Sequence, residues 1–239
     1  MIFNIIKHLC KEIWEMLIKK IVSVILSLSL VFMVSGCQSD KDNPLHGKDT
    51  DERIVMCLEN AYPEHNFKVV KSFDKQKNEG LFEDENGISF KVRDLIYNNT
   101  YHFGCRDEYL STILKNENFF EKAKKVVEEK YGQKLVYNEN TMSIDIIYDD
   151  NNQITTDEIS QLVQEVLNIV DTPKVKYPAE REFSTNVVNY YTLPALGVLQ
   201  CYIEKNEIGE TELFYFSDKS MEQSVIKEKI DKLYQSVEE

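Results

Sequence analysis

The chain has 239 residues, with 28 basic and 41 acidic side chains and a formal net charge of −13. Hydrophobic residues make up 42% and aromatics 11%, an ordinary globular composition that excludes wholesale disorder and collagen-like or mucin-like repeats. The acid excess argues against a nucleic-acid partner, because a phosphate backbone is bound by clustered Lys and Arg.

Ile21 to Val34 is a run of fourteen residues without a charge. A membrane-spanning helix needs about 20 apolar residues, so this run suits the apolar core of a signal peptide instead. Lys19 and Lys20 precede it, and Val34-Ser35-Gly36-Cys37 follows it. That order resembles the signal peptide and lipobox of bacterial lipoproteins, and the resemblance covers residues 16–37 only. It implies that the Cys37 thiol receives a diacylglyceryl group and that residues 1–36 are removed, leaving Cys37 as the first mature residue. It also implies a lipid anchor in the cell membrane on the extracytoplasmic side. Two acyl chains such as palmitate suffice for stable anchoring. A secreted protein would carry an A-x-A-like cleavage site, and the sequence has none.

Residues 1–15 place Lys7, Lys11, Glu12 and Glu15 ahead of what should be a short basic segment. Starting at Met16 gives Met-Leu-Ile-Lys-Lys and then the apolar run, the expected layout. Residues 1–36 hold four lysines and two glutamates, so residues 37–239 carry 24 basic and 39 acidic groups, a net −15. Such a domain is repelled by anionic headgroups and is expected to stand off the membrane on its tether. The use of 24 Lys against 4 Arg suggests an AT-rich genome and, with the lipobox, a low-GC Gram-positive cell envelope.

Residues 37–50 are the lipidated cysteine and a polar, flexible tether. Residues 51–62 carry Ile54, Cys57, Leu58 and Ala61 at helical spacing, and Pro63 ends the run. The period then changes to two. Phe67 to Phe73 is a strand, and Leu81 to Glu85 with Ile88 to Arg93 flank the hairpin turn Asn86-Gly87. Asn98-Asn99 turns the chain into Tyr101 to Cys105. Asp107 to Leu114 and Phe119 to Tyr131 read as helices, with Gly132 as a stop. Lys134 to Tyr137 and Met142 to Tyr148 form a further hairpin. Thr155 and Glu158 make a capping box for a helix striped by Ile159, Leu162, Val163, Val166, Leu167 and Val170. Val187 to Leu193, Leu199 to Glu204 and Glu212 to Phe216 are strands. Ser220 with Gln223 is expected to cap a last helix running to about Val237.

This pattern predicts an α+β fold, with antiparallel meanders and hairpins covered by amphipathic helices. It divides into residues 51–116, a helix plus meander, and residues 117–239, a second α+β unit packed with the first. The opening helix and four strands resemble cystatin-like folds, a likeness of architecture alone.

The eight glycines are widely spaced, and no dinucleotide fingerprint, P-loop or G-x-S-x-G passes through them. There is no H-E-x-x-H and no C-x-x-C. His102, Cys105 and Asp107 form the most chemical stretch, but on a strand His102 and Cys105 face opposite ways. The expected arrangement puts Tyr101, Phe103 and Cys105 in the core and His102 in solvent. Cys57, Cys105 and Cys201 fall on apolar faces; an oxidising exterior permits one disulfide among them, and the spacing does not choose the pair. Glu83 to Asn86 and Asp149 to Asn152 offer oxygens to Ca²⁺. The second departs from an EF-hand, with Ile154 where glycine belongs and Ser160 at the closing glutamate. Both read as solvated turns. Phe183, Tyr190, Tyr191, Tyr202, Phe214, Tyr215 and Phe216 cluster late, with Phe214 and Phe216 on the face opposite Tyr215.

The expectation is thus a membrane-anchored module that binds a protein or envelope ligand. Its anchor is the lipid on Cys37, and no catalytic, cofactor or metal residues are assigned. The alternatives are an envelope enzyme without a recognisable motif and an inhibitor or self-protection lipoprotein. With translation starting at Met16, mass spectrometry of the cells should detect no peptide from residues 1–15. The mature protein, lacking Trp14, should then fluoresce through tyrosine alone.

Overall fold

The computed structural model describes residues 43–140, 142–148, 154–177, 188–205 and 208–238. The lipobox region, Asp149 to Asn152, Pro178 and Phe183 lie outside the described residues. Residues 47–239 form one compact unit. It has an α+β fold, with five α-helices and nine strands in two sheets among the described residues.

The first helix, α1 (Thr50–Ala61), starts one residue earlier than its apolar spacing suggests. Asp49 caps it, and Glu52 returns the bond to the Asp49 N–H, so a capping box closes the start. The meander follows as β1 (Phe67–Asp74), β2 (Glu79–Asp84), β3 (Ser89–Asn98) and β4 (His102–Asp107). Each pairs antiparallel with the next. The β2–β3 connection differs from a two-residue hairpin with both residues at positive φ. Only Gly87 is left-handed, at φ 83°, and Gly87 N–H donates to Asp84 C=O at 3.2 Å. The Asp84 carboxylate accepts from the N–H groups of Asn86 and Ile88 at 3.0 and 2.7 Å. A buried aspartate therefore builds this turn; it is not a solvated acidic tip.

Next come α2 (Tyr109–Asn116) and α3 (Phe119–Lys124), which continues as a π-helical turn over Lys125–Lys130. After them run β5 (Lys134–Asn138), β6 (Ser143–Tyr148) and α4 (Thr156–Leu167). The Thr155/Glu158 capping box is present, and all six apolar stripe residues are buried, five of them in α4 and Val170 just beyond its end. The chain ends as β7 (Asn189–Pro194), β8 (Val198–Lys205), β9 (Ile208–Tyr215), a 3₁₀ turn over Phe216–Ser220, and α5 (Gln223–Glu238). Ser220 closes the 3₁₀ turn instead of capping α5. The first α-helical bond of α5 runs from Ile226 N–H to Glu222 C=O at 3.2 Å.

The sheets are ordered β1-β2-β3-β4-β7 and β5-β6-β8-β9. Each is antiparallel except for one parallel pair, β4 with β7 and β6 with β8. Consecutive strands β7 and β8 thus belong to different sheets, and residues 189–194 complete the sheet begun before residue 116. The crossing falls at Ala195-Leu196-Gly197. Ala195 N–H donates to Asp107 C=O at 2.8 Å and Leu196 N–H to Met142 C=O at 3.1 Å. Leu196 is left-handed at φ 60° and buried, a conformation leucine adopts only when its surroundings hold it. Helix α1 covers the first sheet along β1, β4 and β7. Helices α4 and α5 pack on one another, and α5 also packs on β8 and β9 of the second sheet.

Asp107 lies where these parts meet. Its side chain is fully buried. Oδ1 accepts from Tyr62 OH and from Tyr109 N–H, both at 2.9 Å, and Oδ2 faces the Thr192 hydroxyl at 2.7 Å. Burial raises its carboxyl above the ordinary aspartate range, against the opposing pull of those hydrogen bonds. The Thr192 hydroxyl holds one proton yet also faces Cys105 C=O at 3.2 Å. A protonated Asp107 donates to Thr192, which then donates to Cys105, and every group is satisfied.

A raised folded-state pKa means that the folded chain holds this proton more tightly than the unfolded chain. The stability it contributes is complete below the unfolded aspartate value and is lost as pH rises through the folded value. Asparagine mimics the protonated acid at every bond. In urea denaturation Asp107→Asn should therefore gain stability relative to the parent as pH rises from about 4 to 7. Asp107→Ala strands Tyr62 and the Tyr109 N–H and should lose about 3 kcal/mol at about pH 4.

Candidate functional site: a cleft beside the aromatic corner

Pro63 ends α1 and throws His65 onto the β2–β3 turn. Glu85 holds it there. Oε1 lies 2.8 Å from His65 Nδ1, and Oε2 accepts from Asn66 N–H at 2.8 Å. The Glu85 carboxyl is kept below its usual range, chiefly by the Asn66 N–H. A carboxylate in that range only accepts, so Nδ1 carries the proton of the pair. Nε2 remains without a hydrogen-bond partner among the described residues.

Tyr109 opens α2 and is buried. Its hydroxyl donates to Asp84 Oδ2 at 2.7 Å and lies 3.3 Å from His65 Nδ1. Burial, with Asp84 second, holds this phenol well above its ordinary value, so it stays protonated. The ring meets Tyr62 and Phe67 edge-on with centroids 5.0 and 5.2 Å apart, and Phe90 at 4.8 Å. These contacts fix the ring and through it the imidazole.

The facing wall is the segment after α4. Lys219 Nζ binds Asp171 at 2.7 Å and the Thr172 carbonyl. Lys174 reaches across to Glu64 at 2.9 Å, an exposed pair that contributes little to stability. Between the walls is a cleft of about 590 Å³, within the ordinary range for small-molecule sites. Thr172 lines it, is buried to 2% exposure, and its hydroxyl has no hydrogen-bond partner. A buried hydroxyl in that state is disfavoured in the empty protein.

The residues that looked chemical in the sequence lie elsewhere. Phe103, Cys105 and Asp107 share the buried face of β4, whereas His102 is half-exposed. Tyr101, expected in the core, lies in the turn before β4 and is 39% exposed. Asp107 is bonded to Tyr62, Thr192 and Tyr109, so the three do not form a catalytic set. Cys57, Cys105 and Cys201 are free and buried. Burial pushes the Cys57 thiol up and the Cys201 thiol up to about 12, which leaves both protonated and unreactive. Phe214 and Phe216 are fully buried while Tyr215 is partly exposed, as their alternation requires. Among the described residues no group of three His, Cys, Asp or Glu side chains could hold a metal ion. The residues that do line the cleft were missed because His65, Tyr109 and Thr172, like the Glu85 that orients His65, form no local pattern.

No family model matches the chain, and neither does any curated protein or solved structure. Thr172→Val removes the unpartnered hydroxyl at nearly constant volume. Thermal unfolding should show it as stable as the parent or more so, by about 1 kcal/mol. A loss of stability would mean that the hydroxyl has a structural partner.

Proposed function

We propose that the protein is a lipid-anchored extracytoplasmic binding module, held to the cell membrane through Cys37 and presenting a ligand cleft on its folded unit. The anchor half of this reading rests on the ordered lysines, apolar run, small residues and cysteine of residues 16–37. The single observation that supports the binding half is the cleft beside Tyr109. It offers an oriented imidazole with a spare Nε2 and a buried, unpartnered Thr172 hydroxyl. Polar groups left unpaired inside a concavity are what a ligand satisfies on entry.

The Glu85–His65 pair resembles a general base with its orienting carboxylate, the observation that favours an enzyme as the second reading. A nucleophile should then lie within about 3.2 Å of Nε2. Among the described residues no hydroxyl or thiol hydrogen bonds to that nitrogen, so a binding role has the stronger support. The protein or envelope component that occupies the cleft would meet an acidic, net −15 module.

Cys37→Ala tests the anchor. Cells fed labelled palmitate should incorporate it into the parent protein and not into the variant. On fractionation the variant should lose its lipid-dependent membrane retention. Equal labelling and equal retention of the two would overturn the proposal.

A further inference from the structure

A second cleft, of about 480 Å³, opens where the chain crosses between the sheets. Its walls are mostly apolar: Met142, Leu193, Pro194, Val198 and the tilted pair Tyr177 and Tyr215, whose ring centroids are 4.5 Å apart. Tyr177 is fixed by donating to Gly197 C=O at 2.9 Å. A Cβ on Gly197 would come within 2.6 Å of that hydroxyl, so the glycine leaves room for the ring. Leu193 and Tyr215 each remain 37% exposed.

Arg106 is the only charged group lining this cleft among the described residues. On the first sheet it stands directly between Arg93 on β3 and Leu193 on β7. Like charges opposite one another in a sheet repel. Arg93 is neutralised by Glu108 at 2.7 Å. Among the described residues Arg106 has no hydrogen bond, ion pair or ring contact. Arg106 is exposed, and among the described residues the fold gives it no carboxylate, although the chain has 41 acidic and 28 basic side chains.

We infer that this cleft binds a small organic anion, with a carboxylate or phosphate head on the Arg106 guanidinium and an apolar or aromatic body between Tyr177, Tyr215 and Leu193. The guanidinium fork matches either head bidentately, and an apolar wall strengthens the contact by excluding water. The ligand supplies the counter-ion that the protein withholds. This site is separate from the cleft beside Tyr109 and does not depend on the function proposed for it.

The test uses the full lipidated chain in phosphatidylcholine nanodiscs, with empty nanodiscs as the blank, and isothermal titration calorimetry. The probes are phenylbutyrate, phenyl phosphate and the neutral phenylbutanol. Both anions, or one of them, should bind at least about tenfold more tightly than the alcohol, the stronger one naming the head group. Added salt should weaken the anion. Arg106→Gln should abolish the preference while leaving the melting temperature equal or higher, since it relieves the repulsion from Arg93. Arg106→Lys should retain part of the preference as a point charge. Four results would overturn the proposal: no binding of either anion, equal binding of the alcohol, unchanged anion binding by Arg106→Gln, or a melting temperature that falls in that variant because the guanidinium is structural.

Discussion

The fully buried carboxyl of Asp107, its pKa raised by that burial, is the interaction on which the rest depends. It collects the end of α1 through Tyr62, the start of α2 through the Tyr109 N–H, and β7 through Thr192. Its own backbone carbonyl takes the Ala195 N–H, the bond that begins the crossing from the first sheet to the second. Among the described residues no lysine or arginine pairs with it. An ionised carboxylate there carries a desolvation penalty with hydrogen bonds to offset it, which is why burial moves its pKa upward. The choice of aspartate over asparagine has a consequence, because the joint is strongest when protonated and weakens as pH rises.

This joint also explains why neither cleft is a loose surface feature. Tyr109 is anchored at both ends: its N–H on Asp107 and its hydroxyl on Asp84, beside His65. Arg106 precedes Asp107 on β4, so the buried carboxyl that locks one residue fixes the outward direction of its neighbour on the alternating strand. Sites carried on packed strands and helix ends hold their geometry better than sites on free loops. The binding role proposed for this unit would benefit from such rigidity, since ordering a flexible site on binding costs affinity.

The sequence showed most of the elements and little of their assembly. Helix α4 was legible because a capping box and five apolar residues at one period agree, although Val170, read as part of the stripe, lies beyond its end. The β2–β3 hairpin was legible from Asn86-Gly87, although Asp84 turned out to build the turn with its own side chain. The parallel pairing of β4 with β7 was not legible, since residues such as Cys105 and Thr192 are 87 positions apart and no local period encodes a partner. The π-helical turn after Lys124 was read as ordinary helix, because winding changes leave the apolar spacing almost intact.

The candidate sites were less legible still, and for a reason that runs through the whole molecule. Chemistry-bearing residues draw the eye when they are close in sequence, as His102, Cys105 and Asp107 are. Strand alternation separates His102 from the other two, and the fold spends Asp107 on its own joint. The groups that line the two clefts come from distant places: His65 after a helix, Thr172 after another, Arg106 on a strand. What marks them is a deficit and not a motif: a nitrogen, a buried hydroxyl and a guanidinium each without a partner among the described residues. Deficits of that kind appear only once the neighbours are known, so the signal-like order of residues 16–37 is legible along the chain while the chemistry of the two clefts is legible only in three dimensions.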